Sequence, residues 1–182
     1  MRVISGSLKG RNIEGYSILG TRPTMDRVKE SVFGIIQNYI NNAVVLDLFS
    51  GSGNLGIEAI SNGANKVYFN DKNIKCSKVI NNNLTNFNVL DKSIVTTMDY
   101  KEAINYYKNN NIKFDIVFLD PPYKDMIINE ILDSLLKNDL LNNNAIIICE
   151  LIKKDIYYSS NLILFKEKKY GDKYVLIYKY DN

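Results

Sequence analysis

Alternation is the strongest constraint on what this chain can fold into: short runs rich in Val, Ile and Phe take turns with stretches of helical length and spacing. The runs are Val44 to Leu48, Lys66 to Asn70, Ser93 to Thr97, Phe114 to Leu119 and Ala145 to Cys149, and between them lie Leu55 to Ser61, Ile74 to Phe87, Lys101 to Asn109 and Ile127 to Leu136. Strands separated in this way run parallel, because only a long crossover returns the chain to the starting edge of a sheet. After the fifth run the pattern changes. Leu162 to Lys166 and Tyr174 to Tyr180 flank the turn "KYGDK", which reads as a β-hairpin with Gly171 and Asp172 at its tip. The expectation is an α/β fold with a Rossmann-like seven-stranded sheet, five strands parallel and the last two an antiparallel hairpin.

A length of 182 residues suits one core. Ahead of the sheet, "RVISGSLKGRNI" is punctuated by glycine and reads as a small hairpin. Next, "TRPTMDRVKESVFGIIQNYI" opens a helix with Thr24 as its N-cap, Asp26 in its first turn and an apolar stripe of Val28, Val32, Ile35, Ile36 and Tyr39. Residues 1–23 are therefore read as a basic N-terminal hairpin arm and 24–182 as the main domain. The formal net charge is only +3, but the first 29 residues hold Arg2, Lys9, Arg11, Arg22, Arg27 and Lys29 against Glu14 and Asp26. Such a local surplus suits a short arm that meets phosphates; charge that merely solubilises an exposed segment is the plainer alternative. Asparagine triplets at 81–83, 109–111 and 142–144 fall at or near expected element ends and read as filling of solvent positions, without a function.

Missing residue types narrow the chemistry. With no histidine and two distant cysteines, Cys76 and Cys149, the chain offers no convincing transition-metal site and no Ser-His or Cys-His nucleophile pair. Both cysteines read as reduced structural thiols. No apolar run approaches the roughly eighteen residues of a membrane span, and the opening "MRVISGSLKG" lacks the apolar stretch of a secretory signal, so a cytoplasmic protein with no membrane partner is expected.

The run "LDLFSGSGNLG", Leu46 to Gly56, carries G-x-G-x-x-G at a strand end, with Asp71 about twenty residues beyond its first glycine. Gly51 and Gly53 let the backbone turn tightly and approach a ligand, while the following helix presents its first N–H groups. NAD and S-adenosylmethionine sites share that geometry. Asp47 tips the balance, because a carboxylate there repels a pyrophosphate and attracts the ammonium of a methionine moiety; its alternative is a capping or solvent-facing acid. Asp71 is placed for ribose hydroxyls in either cofactor class. Asp99, in "TTMDYKEAI", could cap the helix that begins at Tyr100.

The fourth strand ends in "FDIVFLDPPY", which uses two of the chain's three prolines. Pro121 and Pro122 fix the backbone where ligands of α/β sheets bind. The lone pair of an exocyclic nucleobase amine is delocalised into the ring. Two acceptors aimed at its hydrogens, the Asp120 carboxylate and the Pro121 carbonyl, would orient the nitrogen for attack on a methyl sulfonium, with Tyr123 stacked on the base and Asp120 available to take the departing proton.

These residues and their order resemble the RsmD-type methyltransferases, which methylate the N2 amine of a guanine in bacterial 16S ribosomal RNA. The blocks "RVISGSLKGRNI", "TRPTMDRVKESVF", "VLDLFSGSGNLGIEAISNGANKVYFNDKN", "DIVFLDPPY" and "KYGDKYVLIYKY" follow one another as in that family. The resemblance implies a class I methyltransferase sheet, S-adenosylmethionine as donor, and 16S rRNA in the small ribosomal subunit or its assembly intermediate as partner; the chemistry needs no metal, and a monomer is expected. The resemblance assigns Asp120, Pro121, Pro122 and Tyr123 to catalysis and makes Arg11, Arg22 and Arg27 of the basic arm the contacts to RNA phosphates. Asp47, Phe49, Gly51, Gly53, Asp71 and Asp99 fall to the cofactor, Asp99 as the acid near the adenine. Asp71 departs from the family in standing where a longer glutamate is common. An adenine-N6 methyltransferase, or a catalytically silent RNA-binding assembly factor, are the alternative functions.

Overall fold

The computed structural model describes residues 1–15, 23–122 and 127–181, the first three residues of 23–122 by their backbone alone. In chain order the elements are α1 (Pro23–Ile40), β1 (Val44–Asp47), α2 (Asn54–Ser61), β2 (Lys66–Asn70), α3 (Ile74–Phe87), β3 (Ser93–Thr96), α4 (Tyr100–Asn109), β4 (Phe114–Leu119), α5 (Ile128–Lys137), β5 (Leu141–Leu151), β6 (Leu162–Tyr170) and β7 (Lys173–Tyr180). The strands form a single sheet in the order β3-β2-β1-β4-β5-β7-β6. Pairs among β1 to β5 are parallel, whereas β7 is antiparallel to both β5 and β6. The seven strands and the closing hairpin expected from the sequence are present. Because β1 lies between β2 and β4, the chain leaves the sheet centre in opposite directions after these strands, and the crevice above their carboxyl ends is where such folds bind ligands.

Period-two alternation splits the core. Ile146 and Ile148 face one way, into a cluster with Val32, Ile36 and Ile40 of α1, Ile57 of α2 and Ile80 of α3. Ile147 and Cys149 face the other way, against Tyr107 of α4 and Ile131, Leu132 and Leu135 of α5. Residues 1–15 are part of this core rather than an appendage, since Val3, Leu8 and Ile13 are buried in the first cluster. A short antiparallel bridge between Arg2 and Asn12 gives that segment its hairpin form.

One buried ion pair ties the segment down. Lys29 Nζ lies 2.9 Å from Glu58 Oε2, with the two side chains 2% and 0% exposed. The ammonium also donates to the Arg2 carbonyl and to Asn54 Oδ1 at the start of α2, and the Glu58 carboxylate accepts from the Ile4 and Ser5 amides and the Ser5 hydroxyl. Every charge-bearing atom of the pair is thus supplied with partners, as burial requires.

Three boundaries differ from expectation. Helix α1 starts at Pro23, so Thr24 lies inside it and is not the cap; proline's fixed φ and missing N–H suit a first helical position. Strand β5 starts at Leu141, which pairs with Phe114 before the register shifts; Asn142 to Asn144 fill the irregularity, with Asn144 at φ 65°. Strand β6 runs on through the charged residues 166–169 to Tyr170, with a register shift between Leu164 and Lys166, and Gly171 turns the chain at φ 59°. No helix among the described residues is long and apolar enough to cross a membrane.

Candidate active site

The glycine turn follows β1, and each of its glycines has a separate reason. Gly51, at φ 54°, has nothing within 4 Å of where a Cβ would stand, so its backbone is bare toward the crevice. Gly53 starts α2 from a left-handed conformation, φ 80°. Gly56 packs: a Cβ there would sit 2.2 Å from Phe69 Cε1 of β2. Gly56→Ala is therefore expected to force Phe69 aside and to lower stability by about 1–3 kcal/mol, as overpacked cores do. An unfolding midpoint equal to that of the unaltered protein would refute this.

Acids and amides hold the turn in shape. Asp47 is buried at the end of β1, where its Oδ2 accepts the Gly56 N–H at 3.0 Å. Burial pushes its carboxyl up to about 7; the Gly56 amide opposes the rise and the charge of Asp71 adds to it. Asp71, at the end of β2, accepts the Gly51 N–H at 3.0 Å and the Asn73 N–H at 2.8 Å. Asn70 laces three strand ends together. Its amide nitrogen donates to the Leu48 and Met98 carbonyls, its Oδ1 accepts from the Thr96 hydroxyl, and its N–H donates to Ser50 Oγ. Asp99 is the N-cap of α4: its Oδ1 accepts the Lys101 N–H at 3.0 Å, and Glu102 returns the bond to the Asp99 N–H, completing a capping box. The structure thus gives Asp99 the capping role that spacing alone allowed.

Phe49 is half-buried, with its ring 6.0 Å from that of Tyr100 and tilted by 44°. Tyr100 forms an aromatic wall with it that the sequence reading did not include; the signal was an aromatic residue directly after the cap of α4.

The Asp120 turn lies at the carboxyl end of β4, the strand beside β1. Asp120 is half-buried, Pro121 buried and Pro122 exposed. Burial is the main cause that lifts the Asp120 carboxyl to about 7; the charge of Glu150 raises it further, Lys173 pulls it down, and Asp47 adds a smaller rise. Pro121 and Pro122 also line a cleft with Ile127, Asn129, Ile152 and Lys153, about 440 Å³ counted out to open solvent. Tyr123, the fourth residue expected in catalysis, lies outside the described residues.

Of the expected phosphate contacts, Arg11 donates to the Asn86 carbonyl at 2.6 Å and to that of Phe87 at 3.4 Å, and its guanidinium lies 4.5 Å from the centre of the Phe87 ring. It thereby caps the carboxyl end of α3. Arg27 is exposed on α1, and Arg22 lies outside the described residues. Asn83, within one of the triplets read as solvent filling, is 1% exposed. It accepts the Glu14 N–H and donates to the carbonyls of Glu14 and Ser52, joining the N-terminal segment to the glycine turn. Its triplet lies inside α3, not at an element end, because Asn83 faces that turn. Among the described residues no group of His, Cys, Asp or Glu could hold a metal ion. Both cysteines are buried, and burial pushes the Cys149 thiol up.

A mixed sheet of this order, with a glycine turn after β1 and an acidic proline turn after β4 at the switch point, defines the class I methyltransferase fold. The chain belongs to the family described as Conserved hypothetical protein 95, whose model matches residues 1–179. The Bacillus subtilis (strain 168) protein YlbH is 35% identical over 181 residues, 98% of each chain. "Ribosomal RNA small subunit methyltransferase D" of Haemophilus influenzae is 34% identical over 179 residues, 94% of this chain and 89% of its own. The solved structure of yhhF from Escherichia coli superposes with a TM-score of 0.87 at 29% identity, covering 100% of this chain and 98% of that one.

Proposed function

We propose that this protein transfers a methyl group from S-adenosylmethionine to the exocyclic N2 amine of a guanine in 16S rRNA, within the small ribosomal subunit or its assembly intermediate. The observation that carries the reading is the juxtaposition of two turns, Gly51 to Gly53 after β1 and Asp120 to Pro122 after β4, on neighbouring strands. The name of the Haemophilus relative supports ribosomal RNA as the substrate class. The residues fit an adenosine-bearing donor. Gly51 is open toward the crevice, Asp71 offers carboxylate oxygens for ribose hydroxyls, and Phe49 with Tyr100 offers an aromatic wall. Among these, Asp47 acts by bracing the turn through Gly56.

The donor supplies an electrophilic methyl group on a sulfonium. The rest of the chemistry falls to the chain. Asp120 and the Pro121 carbonyl accept hydrogen bonds from the two amine hydrogens and turn the nitrogen lone pair out of conjugation. Asp120, with a carboxyl raised to about 7, then takes the surplus proton, directly or through water. Pro122, exposed beside Asp120, flanks the base.

Methylation of 30S particles and of protein-free rRNA with labelled donor, followed by nucleoside mass spectrometry, tests the reading. Label in N2-methylguanine is the expected result. Label in N6-methyladenine would move the substrate to adenine, and no transfer to any ribosomal substrate would leave an RNA-binding factor. Retention of every N2-methylguanine in rRNA from a deletion strain would overturn the proposal.

A further inference from the structure

The antiparallel hairpin brings a charge to the catalytic edge. Leu119 pairs with Cys149, so one residue further along Asp120 comes level with Glu150 on β5. Glu150 in turn pairs with Val175 of β7, and Lys173 lies two residues away on the same face of the pleat. The Lys173 ammonium forms an ion pair with Glu150 Oε1, the side chains being 30% and 18% exposed. Because β7 runs antiparallel to β5, its first residue, and not its last, stands at the carboxyl edge of the parallel strands.

We propose that Lys173 and Glu150 are positioning residues for Asp120: the pair sets the balance of opposite charges beside the carboxylate that takes the proton from the target amine. The inference rests on the reading of Asp120 as that acceptor. Desolvation and the neighbouring Glu150 carboxylate hold Asp120 towards its neutral form, which cannot accept a proton; the lysine opposes them in part. Asp47 at the end of β1 adds negative charge. Helix α1, packed over this face, carries Asp26, Arg27, Lys29 and Glu30 in its first turns, and Lys29 is closed into its pair with Glu58. Lys124 and Asp125 lie outside the described residues.

The test compares Lys173→Met, Lys173→Arg and Glu150→Gln, each first checked for native circular dichroism and melting. Two readouts are taken: the pH profile of methyl transfer at saturating substrate, and the titration of Asp120 followed by carboxyl carbon NMR, assigned with Asp120→Asn. Loss of the ammonium in Lys173→Met is expected to move the acid limb and the Asp120 titration to higher pH by about one unit or more, as for a carboxylate losing an adjacent cation. Lys173→Arg keeps the charge and stays near the unaltered profile. Glu150→Gln removes a like charge and moves both curves to lower pH. A merely structural pair would not move them in opposite directions, so unmoved curves, or both variants shifting the same way, would overturn the proposal. The NMR titration needs no turnover: opposite shifts in a protein that methylates no rRNA would sink the functional reading and leave the electrostatic role of the pair standing.

Discussion

Asp120→Asn is expected to lower methyl transfer by about 10²- to 10⁴-fold, the usual contribution of a positioned proton acceptor. Binding of the donor should be unchanged, because the glycine turn after β1 is held by Asp47, Asp71 and Asn70. The amide keeps an oxygen that accepts a hydrogen bond but cannot take the proton, so the loss should fall on kcat and not on KM. The pH dependence has a fixed sign. Asp120 acts in its ionised form, and its carboxyl is raised to about 7, so activity is present above that value and lost as pH falls through it. A protein with an ordinary carboxylate in this role would stay active two or more units lower, on the order of the usual Asp value. Calorimetry with the donor, together with initial rates from about pH 5 to 9, checks both statements, the window following from the usual carboxylate and raised values. Full activity in Asp120→Asn would remove Asp120 from the chemistry.

Lys29→Met is expected to destabilise the fold by about 3–5 kcal/mol, because it strands the Glu58 carboxylate in the interior without its cation. The loss should exceed that of Lys113→Met, whose partner Asp139 is exposed and whose pair is worth little. Replacing both partners, Lys29→Met with Glu58→Gln, should recover part of the stability. An amide oxygen in the place of Oε1 still accepts from the Ile4 and Ser5 amides, and no bare charge remains. Urea unfolding of the single and double variants measures the coupling. Equal midpoints for Lys29→Met and Lys113→Met would show that the pair carries no special load.

How much of this could be read in advance depended on the range of the interaction. Strands, helices and the terminal hairpin were legible because their signals are local: period-two alternation in Ile146 to Cys149, the Gly171 turn, and glycine spacing after Asp47. The place of Asp120 and the two prolines directly after β4 was legible for the same reason. What escaped was long-range. Lys29 finds Glu58, Arg11 finds the end of α3, and Asn83 bridges Glu14 and Ser52, and in each case neither partner carries a local mark of the other. Composition misled in the last case, since a run of asparagines looks like solvent filling until one of them proves to be buried. The charge tally was likewise silent on partners: part of the N-terminal surplus is engaged within the molecule, by Lys29 in its buried pair and by Arg11, which stays exposed, at the end of α3.

The outer strand β6 has a consequence for how copies of this protein meet one another. A strand at the margin of a sheet leaves half of its backbone groups available for extension by a neighbour, and that is a route to aggregation. Here the register breaks between Leu164 and Lys166, and Lys166, Lys168 and Lys169 stand exposed along the remainder. A second molecule laying its own β6 alongside would meet a kinked template and bring ammonium groups against ammonium groups. Sheet-to-sheet polymerisation is thereby blocked along the half of this margin that lies nearest the carboxyl edge of the parallel strands.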